Sequence, residues 1–468
     1  MAAMVAVSRA GCLMGVSFRG DAWAYLSECQ TNPRQRMTCV TRVSTALPRR
    51  GARQDVRMDS PAAPATGKDE RSAPATRGGA RASVVRRHNL GLLLECLHLE
   101  GPASRSELGA TTGLSRSTVA DLVHELVRSG LVVEDGVSPS SGPGRPSPIV
   151  RLRGSAAVAV VVELGVDAVS AAVIGLGGDV VDHRSVQLAG MRVSPEDTVR
   201  QVADLVRGMD IGPTHPRAVG LGVAVPGLVR RADGFVHVAP NLGWKDVALG
   251  GLLAEAFDVP LDRVRVGNEA DLGAVGEHRR GAGRGCGHLV FISGEVGIGA
   301  GLIIGGQPML GAAGYAGEAG HMLVNPDGRP CTCGSSGCWE TEVGESALLR
   351  AAGVRDVRGL AAVDAVLTRV MAGDAAATAA VAEIGHWLGV GVGNITNLLN
   401  PEVVVLGGIL QPLFPFVREP MLDAMHARCL GPVSQPVRVV PSALGTSAQL
   451  HGAAEVVLAS VLADPTTR

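Results

Sequence analysis

Three cysteines fall within eight residues, Cys331-Thr332-Cys333-Gly334-Ser335-Ser336-Gly337-Cys338, and His321 precedes the first of them by ten positions. Three soft thiolates and one imidazole form a closed tetrahedral set for Zn²⁺ and leave no position for substrate or water. The expected ion is therefore structural, one zinc per chain on His321, Cys331, Cys333 and Cys338. Gly334 and Gly337 let the backbone fold around an ion. The alternative is a run of inert thiols. The chain holds only nine cysteines in 468 residues, however, and three of them crowded into one loop is the spacing of a metal knuckle.

Carboxylates bracket this loop: Glu318 stands three residues before His321 and Glu340 two residues after Cys338. Asn268-Glu269-Ala270-Asp271 follows the segment 263–267, which reads as a strand. Singly, each is an ordinary surface or turn residue. As a set, Asn268, Glu269, Glu318, His321 and Glu340 offer the mixture of donors and acceptors that a polyhydroxylated ligand needs, because every sugar hydroxyl both donates and accepts. Two Gly-containing turns, Glu163-Leu164-Gly165-Val166-Asp167 and Ser293-Gly294-Glu295-Val296-Gly297-Ile298-Gly299, could cradle phosphate through backbone N–H groups. Glu163 and Glu295 place negative charge on those turns, which opposes ATP, and a GxxxxGK[ST] loop is absent.

The elements that must position these groups follow from periodicity. Segments 156–162, 168–176, 218–225, 288–293, 299–305 and 401–408 read as buried strands separated by Gly turns, with a helix near 198–207. Two similar α/β halves facing a cleft is the economical arrangement. Upstream the pattern changes. Leu90, Leu93, Leu94 and Leu97 form one helical stripe. Ser104-Arg105-Ser106-Glu107 is a capping box for a second helix. After a Gly turn Ser115 caps a third, whose stripe is Val119, Leu122, Val123, Leu126 and Val127. A strand at 131–133 follows. This is the layout of a winged helix-turn-helix over 84–137, with Ser115, Arg116, Ser117 and Thr118 opening the helix that would enter the major groove. The Pro/Gly/Ser segment 138–153 reads either as a plain linker or as a hook whose Arg145 reaches a minor groove. Residues 81–153 carry nine Arg against seven Asp and Glu, so the module is only mildly basic and affinity should depend on dimerisation.

Composition bounds the rest. A net charge of −1 and 46% hydrophobic residues describe a core-forming chain without a general nucleic-acid coat. Apolar runs are short of the roughly 18 residues of a membrane helix, no signal peptide is read, and the odd, clustered cysteines suit a reduced compartment, so a cytoplasmic location is expected. Residues 1–80 show no sustained period and are expected to be unstructured, with Met58 a candidate internal start. A chain begun at Met58 is expected to keep zinc and operator binding.

The segments SRSELGATTGLSRSTV, GRPSPIVRL, VAVPGLV, APNLGW, NEADLGAVGE, GEVGIGAGLI, GEAGH and CTCGSSGCWE together resemble the ROK family (repressors, open reading frames, kinases), in its regulator branch of the xylose- and N-acetylglucosamine-repressor type. The resemblance covers about 84–460. It implies an N-terminal all-α winged helix-turn-helix joined at 154–464 to a duplicated α/β fold of the actin/hexokinase (ribonuclease-H-like) kind. It also implies a structural zinc on His321, Cys331, Cys333 and Cys338, with sugar contacts from Asn268, Glu318, His321 and Glu340, so that His321 serves metal and sugar together. Three departures bear on activity. Family kinases carry Asp where this chain has Glu163, Asn-Asp where it has Asn268-Glu269, and a Thr-Gly turn where it has Glu295-Val296. A base displaced by a methylene is costly, since errors of about 1 Å cost roughly 100-fold. The expected protein is a DNA-binding regulator, a repressor in sign, answering to a sugar or sugar phosphate and acting on operator DNA as a homodimer or larger oligomer, with phosphorylation lost. The rivals are an active sugar kinase with an accessory DNA-binding domain and a protein-interaction scaffold.

Overall fold

Ser104 begins the helix-turn-helix as the capping box requires. Its hydroxyl accepts the Glu107 N–H, and the Glu107 carboxylate accepts the Ser104 N–H at 2.7 Å. The computed structural model describes residues 77–137, 148–187, 193–212, 214–355, 357–430 and 437–466, together with four strands in an N-terminal unit of its own. Those strands are β1 (Val5–Val7), β2 (Leu13–Arg19), β3 (Ala22–Gln30) and β4 (Arg36–Cys39), paired antiparallel in chain order. The segment 1–80, expected to be unstructured, holds these four strands and the start of a helix at Arg77, and residues 40–76 lie outside the described residues.

In the larger unit, α1 (Arg77–Glu100) begins before the expected start at 84. It is followed by β5 (Ala103–Ser104), α2 (Arg105–Thr112), α3 (Arg116–Arg128), β6 (Val132–Val137) and β7 (Pro148–Leu152). Leu90, Leu93, Leu94 and Leu97 are buried, as are Val119, Leu122, Val123 and Leu126, whereas Val127 is exposed and leaves the expected stripe. Strands β5, β7 and β6 form one small sheet. The segment 148–152 is therefore the second strand of the wing, not linker. Val150 is buried on it, and the surrounding Ser-Pro residues obscured the strand. Arg145 and the rest of 138–147 lie outside the described residues.

The first α/β half runs β8 (Val158–Leu164), β9 (Ala168–Gly175), β10 (Val180–Gln187), α4 (Pro195–Arg207), β11 (Ala218–Val225), β12 (Leu228–Arg230), β13 (Phe235–Ala239), β14 (Trp244–Val247), α5 (Leu249–Phe257), β15 (Val264–Asn268) and α6 (Glu269–Arg280). The second runs β16 (Leu289–Gly294), β17 (Ile298–Ile304), β18 (Gln307–Pro308), α7 (Trp339–Val343), α8 (Glu345–Ala352), α9 (Gly359–Met371), α10 (Ala375–Leu399), β19 (Val403–Gly408), α11 (Leu410–His426), β20 (Arg438–Pro441) and α12 (Ala448–Ala463). The main sheets have orders β10-β9-β8-β11-β15 and β18-β17-β16-β19-β20. In each, the first strand of an antiparallel meander pairs parallel with a fourth strand, which pairs parallel with a fifth. The repeated topology establishes the duplication that diverged residues left open. The helices cross over: α6 packs on β16 and β17, and α12 on β8 and β11.

Helix α10 is long and apolar enough, by length and composition, to cross a membrane. Here it serves as a core helix, with Val381, Ile384, Leu388 and Val392 buried in the cluster that also holds Leu413, Val417 and Met421 of α11.

Candidate functional site

Cys338 caps a helix whose first residue, Trp339, is fully buried, its indole N–H donating to the Trp387 carbonyl at 2.9 Å. The thiol loop is thus pinned to the core at one end. At the other, Gly337 has a φ of 72°, and a Cβ there would collide with the Asn325 carbonyl oxygen. The chain returns on itself, and the ligand atoms of His321, Cys331, Cys333 and Cys338 all lie within 4.8 Å of one another. Cys333 and Cys338 sulfurs are 3.6 Å apart, and Cys331 Sγ is 3.6 Å from His321 Nδ1. Ligands about 2.0–2.3 Å from a tetrahedral ion are separated by roughly 3.5–3.8 Å, so the cluster fits a metal ion of zinc's size and softness.

His321 faces two ways. Its Nδ1 points at the thiols and stands 3.5 Å from Glu340 Oε1, while Nε2 lies 3.9 Å from Glu318 Oε2. The cavity of about 450 Å³ beside it is lined by all five residues expected to meet a sugar: Asn268, Glu269, Glu318, His321 and Glu340. Asn268 is largely committed to the scaffold. Its Oδ1 accepts the Ala270 and Asp271 N–H groups at the start of α6, and its Nδ2 donates to the Gly227 carbonyl at 3.0 Å. One amide hydrogen remains for a ligand. Asn241, on the turn after β13, also lines the cavity. It belongs to the APNLGW segment, but an Asn between Pro240 and Leu242-Gly243 reads first as a turn former.

A second cavity, of about 650 Å³, adjoins the first, and Glu295 lines both. Glu163 lines the larger one together with Asp167 and Glu345. Glu163 sits near the end of β8 and Glu295 directly after β16, equivalent places in the two halves. Among the described residues, neither cavity is lined by an Arg or Lys. Burial first, and Glu295 next, push the Glu163 carboxyl up to about 8. Burial, then Asp167 and Glu345, push Glu295 up to about 7. Glu269 is raised well above the carboxylate range by burial and by both neighbours. A surface built to hold triphosphate would reverse these signs.

The sign of the pH effect follows. A carboxyl whose folded value exceeds its unfolded one stabilises the fold below the ordinary carboxylate range, and that stability is lost as pH rises toward about 8. Thermal stability should fall across this window, and Glu163→Gln should flatten the fall. Every tenfold difference in proton affinity between the folded and unfolded chain is worth about 1.4 kcal/mol. Parallel melting profiles for the variant and the natural chain from about pH 5 to 8 would contradict the assignment.

With two α/β halves of one topology, a thiol knuckle at their cleft and a winged helix-turn-helix ahead of them, the fold and site define a regulator-type relative of sugar kinases. The chain belongs to the ROK family, which matches residues 159–460, and residues 91–136 match the IclR helix-turn-helix domain. The chain is 30% identical over 378 residues to the xylose repressor of Bacillus subtilis, covering 80% of this chain and 96% of that protein. It shares its fold with the crystal structure of a ROK family transcriptional regulator described as a homolog of the E. coli MLC protein, at a TM-score of 0.65 and 23% identity over 81% of this chain and 97% of that one. A ROK glucokinase from Streptomyces griseus, in complex with glucose and AMPPNP, matches at a TM-score of 0.56 and 28% identity over 64% of this chain and 98% of the enzyme.

Proposed function

We propose that this protein is a sugar-responsive, DNA-binding transcriptional repressor whose kinase-like domain senses a sugar without phosphorylating it. The observation that carries the proposal is the coexistence, in one chain, of a winged helix-turn-helix with a ROK cleft whose cavities are lined by Asn268, Glu318, His321 and Glu340 and by the carboxylates Glu163, Glu269 and Glu295. The similarity to a xylose repressor over nearly its whole length supports it. On this reading Asn268, Glu269, Glu318, His321 and Glu340 hold the sugar hydroxyls. One zinc on His321, Cys331, Cys333 and Cys338 holds the His321 ring, as metal-bound imidazoles are held, in the orientation its other nitrogen needs. Ser115, Arg116, Ser117 and Thr118 meet operator DNA, with Arg145 as a further contact, and a homodimer presents two such helices to a pseudo-palindrome.

Two arms test the proposal. Melting in D-xylose, D-glucose and N-acetyl-D-glucosamine should show a rise for at least one, because a binder of the folded state stabilises it by RT ln(1+[L]/Kd). A coupled ADP-release assay with the same sugars should stay at background. Robust ADP release with a sugar would favour the rival, an active kinase with an accessory DNA-binding domain.

A further inference from the structure

Helix α6 is 12 residues long, about 18 Å. It begins at the sugar cavity, where Asn268 and Glu269 line the wall, and ends at Arg279 and Arg280. Both arginines turn to a buried carboxylate of α12, Glu455. Arg280 Nε donates to Glu455 Oε1 at 2.5 Å, and its NH1 donates to the Gly177 carbonyl at 2.7 Å. Arg279 Nε donates to Glu455 Oε2 at 3.2 Å, while its NH1 reaches Glu95 of α1 at 2.8 Å. The remaining partner of Glu455 is His98, a fully buried residue of α1 in the DNA-binding module. The Gly177 N–H donates to His98 Nδ1 at 2.9 Å, and His98 Nε2 lies 3.0 Å from Glu455 Oε1 and 2.5 Å from Arg280 Nη2.

The three helices are also joined backbone to backbone. A Cβ at Gly276 of α6 would collide with the Ala448 carbonyl of α12, and one at Gly452 of α12 with the Leu272 carbonyl of α6. A Cβ at Gly91 of α1 would stand 2.6 Å from the Leu462 carbonyl of α12. Leu90, Leu94 and Leu97 of α1 share one continuous core cluster with Leu458 and Leu462. A displacement of α6 at the cavity therefore cannot be absorbed by sliding over α12. Nor can α1 stay behind, since Glu455 would lose buried partners. Glu455 itself reports the balance: burial pushes its carboxyl up, but His98, Arg280 and Arg279 together hold it down at about 2.

We propose that the Arg280–Glu455–His98 cluster is the joint through which the state of the sugar cavity is passed to the helix-turn-helix, α6 and α12 moving as one rod and Arg279, Arg280 and Glu455 acting as positioning residues. The proposal rests on the repressor function above. Two sites become coupled only where an element they share has different arrangements for each state, and this rod is the element that touches both.

The test uses the full chain, a duplex selected by it from a randomised pool, and D-xylose as probe with D-glucose and N-acetyl-D-glucosamine in parallel. Three quantities are read: the sugar-induced melting shift, the sugar-free duplex Kd, and the ratio of duplex Kd with and without sugar. The natural chain should give a ratio within the roughly 5–150-fold range of allosteric couplings. Arg280→Gln and Glu455→Gln should keep the melting shift while the ratio collapses to under about threefold. Arg279→Gln, which leaves Glu455 its Arg280 and His98 partners, should give an intermediate ratio and guards against misfolding of the other two. Arg87→Gln breaks the solvent-exposed Arg87–Asp464 pair across the same interface and should leave the ratio unchanged. Natural ratios in the Arg280 and Arg279 variants, or equal losses in Arg87→Gln, overturn the joint and leave the repressor function standing. A natural chain whose duplex affinity no sugar alters overturns both.

Discussion

Cys338→Ser is expected to reduce bound zinc from one per chain to a small fraction and to destabilise the protein by several kcal/mol. In isolated zinc fingers the ion contributes about 10–16 kcal/mol and is required for folding. Here the sheets and α10 have their own cores, so the loss should be smaller, on the order of 3–5 kcal/mol, and local to the cleft. The mechanism is specific. Cys338 precedes the buried Trp339, and His321 stands between the thiols and the cavity. Without the ion the His321 ring loses its fixed orientation, and sugar affinity should fall together with stability. Cys333→Ser, at an exposed ligand, should show the same metal loss with less disturbance of the core. Metal analysis of the folded natural chain decides the matter first: well under one zinc per chain would contradict the assignment, whatever the variants do.

Arg116→Ala is expected to weaken binding to the selected duplex by about 1–3 kcal/mol, a factor of roughly 5–150, and to relax sequence preference at one position of each half-site. Arg116 is exposed at the first turn of α3, and the neighbouring Ser115 hydroxyl is occupied, accepting the Thr118 N–H at 3.2 Å. Arg105 makes the contrast. It lies on the same module but donates from Nε and NH2 to both oxygens of Glu134, each at 2.6 Å. Its replacement should act on the stability of the wing and not on base preference. Anisotropy titrations at one salt concentration separate the two variants. An unchanged Kd for Arg116→Ala removes this residue from the contact set.

What could be read from residue order alone was whatever local chemistry specifies. The caps at Ser104 and Ser115, the stripes at 90–97 and 119–126, strand 218–225 and the knuckle spacing all depend on neighbours a few positions away. The second wing strand was hidden because Ser147-Pro148 reads as a connector until β6 is beside it. The joint at Glu455 was illegible for a different reason. Its partners lie 357 and 175 positions away, and nothing in the neighbourhood of Glu455 distinguishes it from a surface carboxylate. Asn268 shows the converse: its type suggested a ligand contact, while the fold commits most of its hydrogen bonds to capping α6.

That one chain reads both a sugar and a DNA sequence is tested most directly by selecting duplexes from a randomised pool and titrating the winner with the natural chain in the presence and absence of D-xylose, D-glucose and N-acetyl-D-glucosamine at fixed salt. The expected result is a pseudo-palindromic consensus with half-sites about one helical turn, or a multiple of it, apart, and a change in Kd of at least about fivefold with one of the sugars. A pool that yields no consensus, or a consensus whose affinity is the same with every sugar, would contradict it.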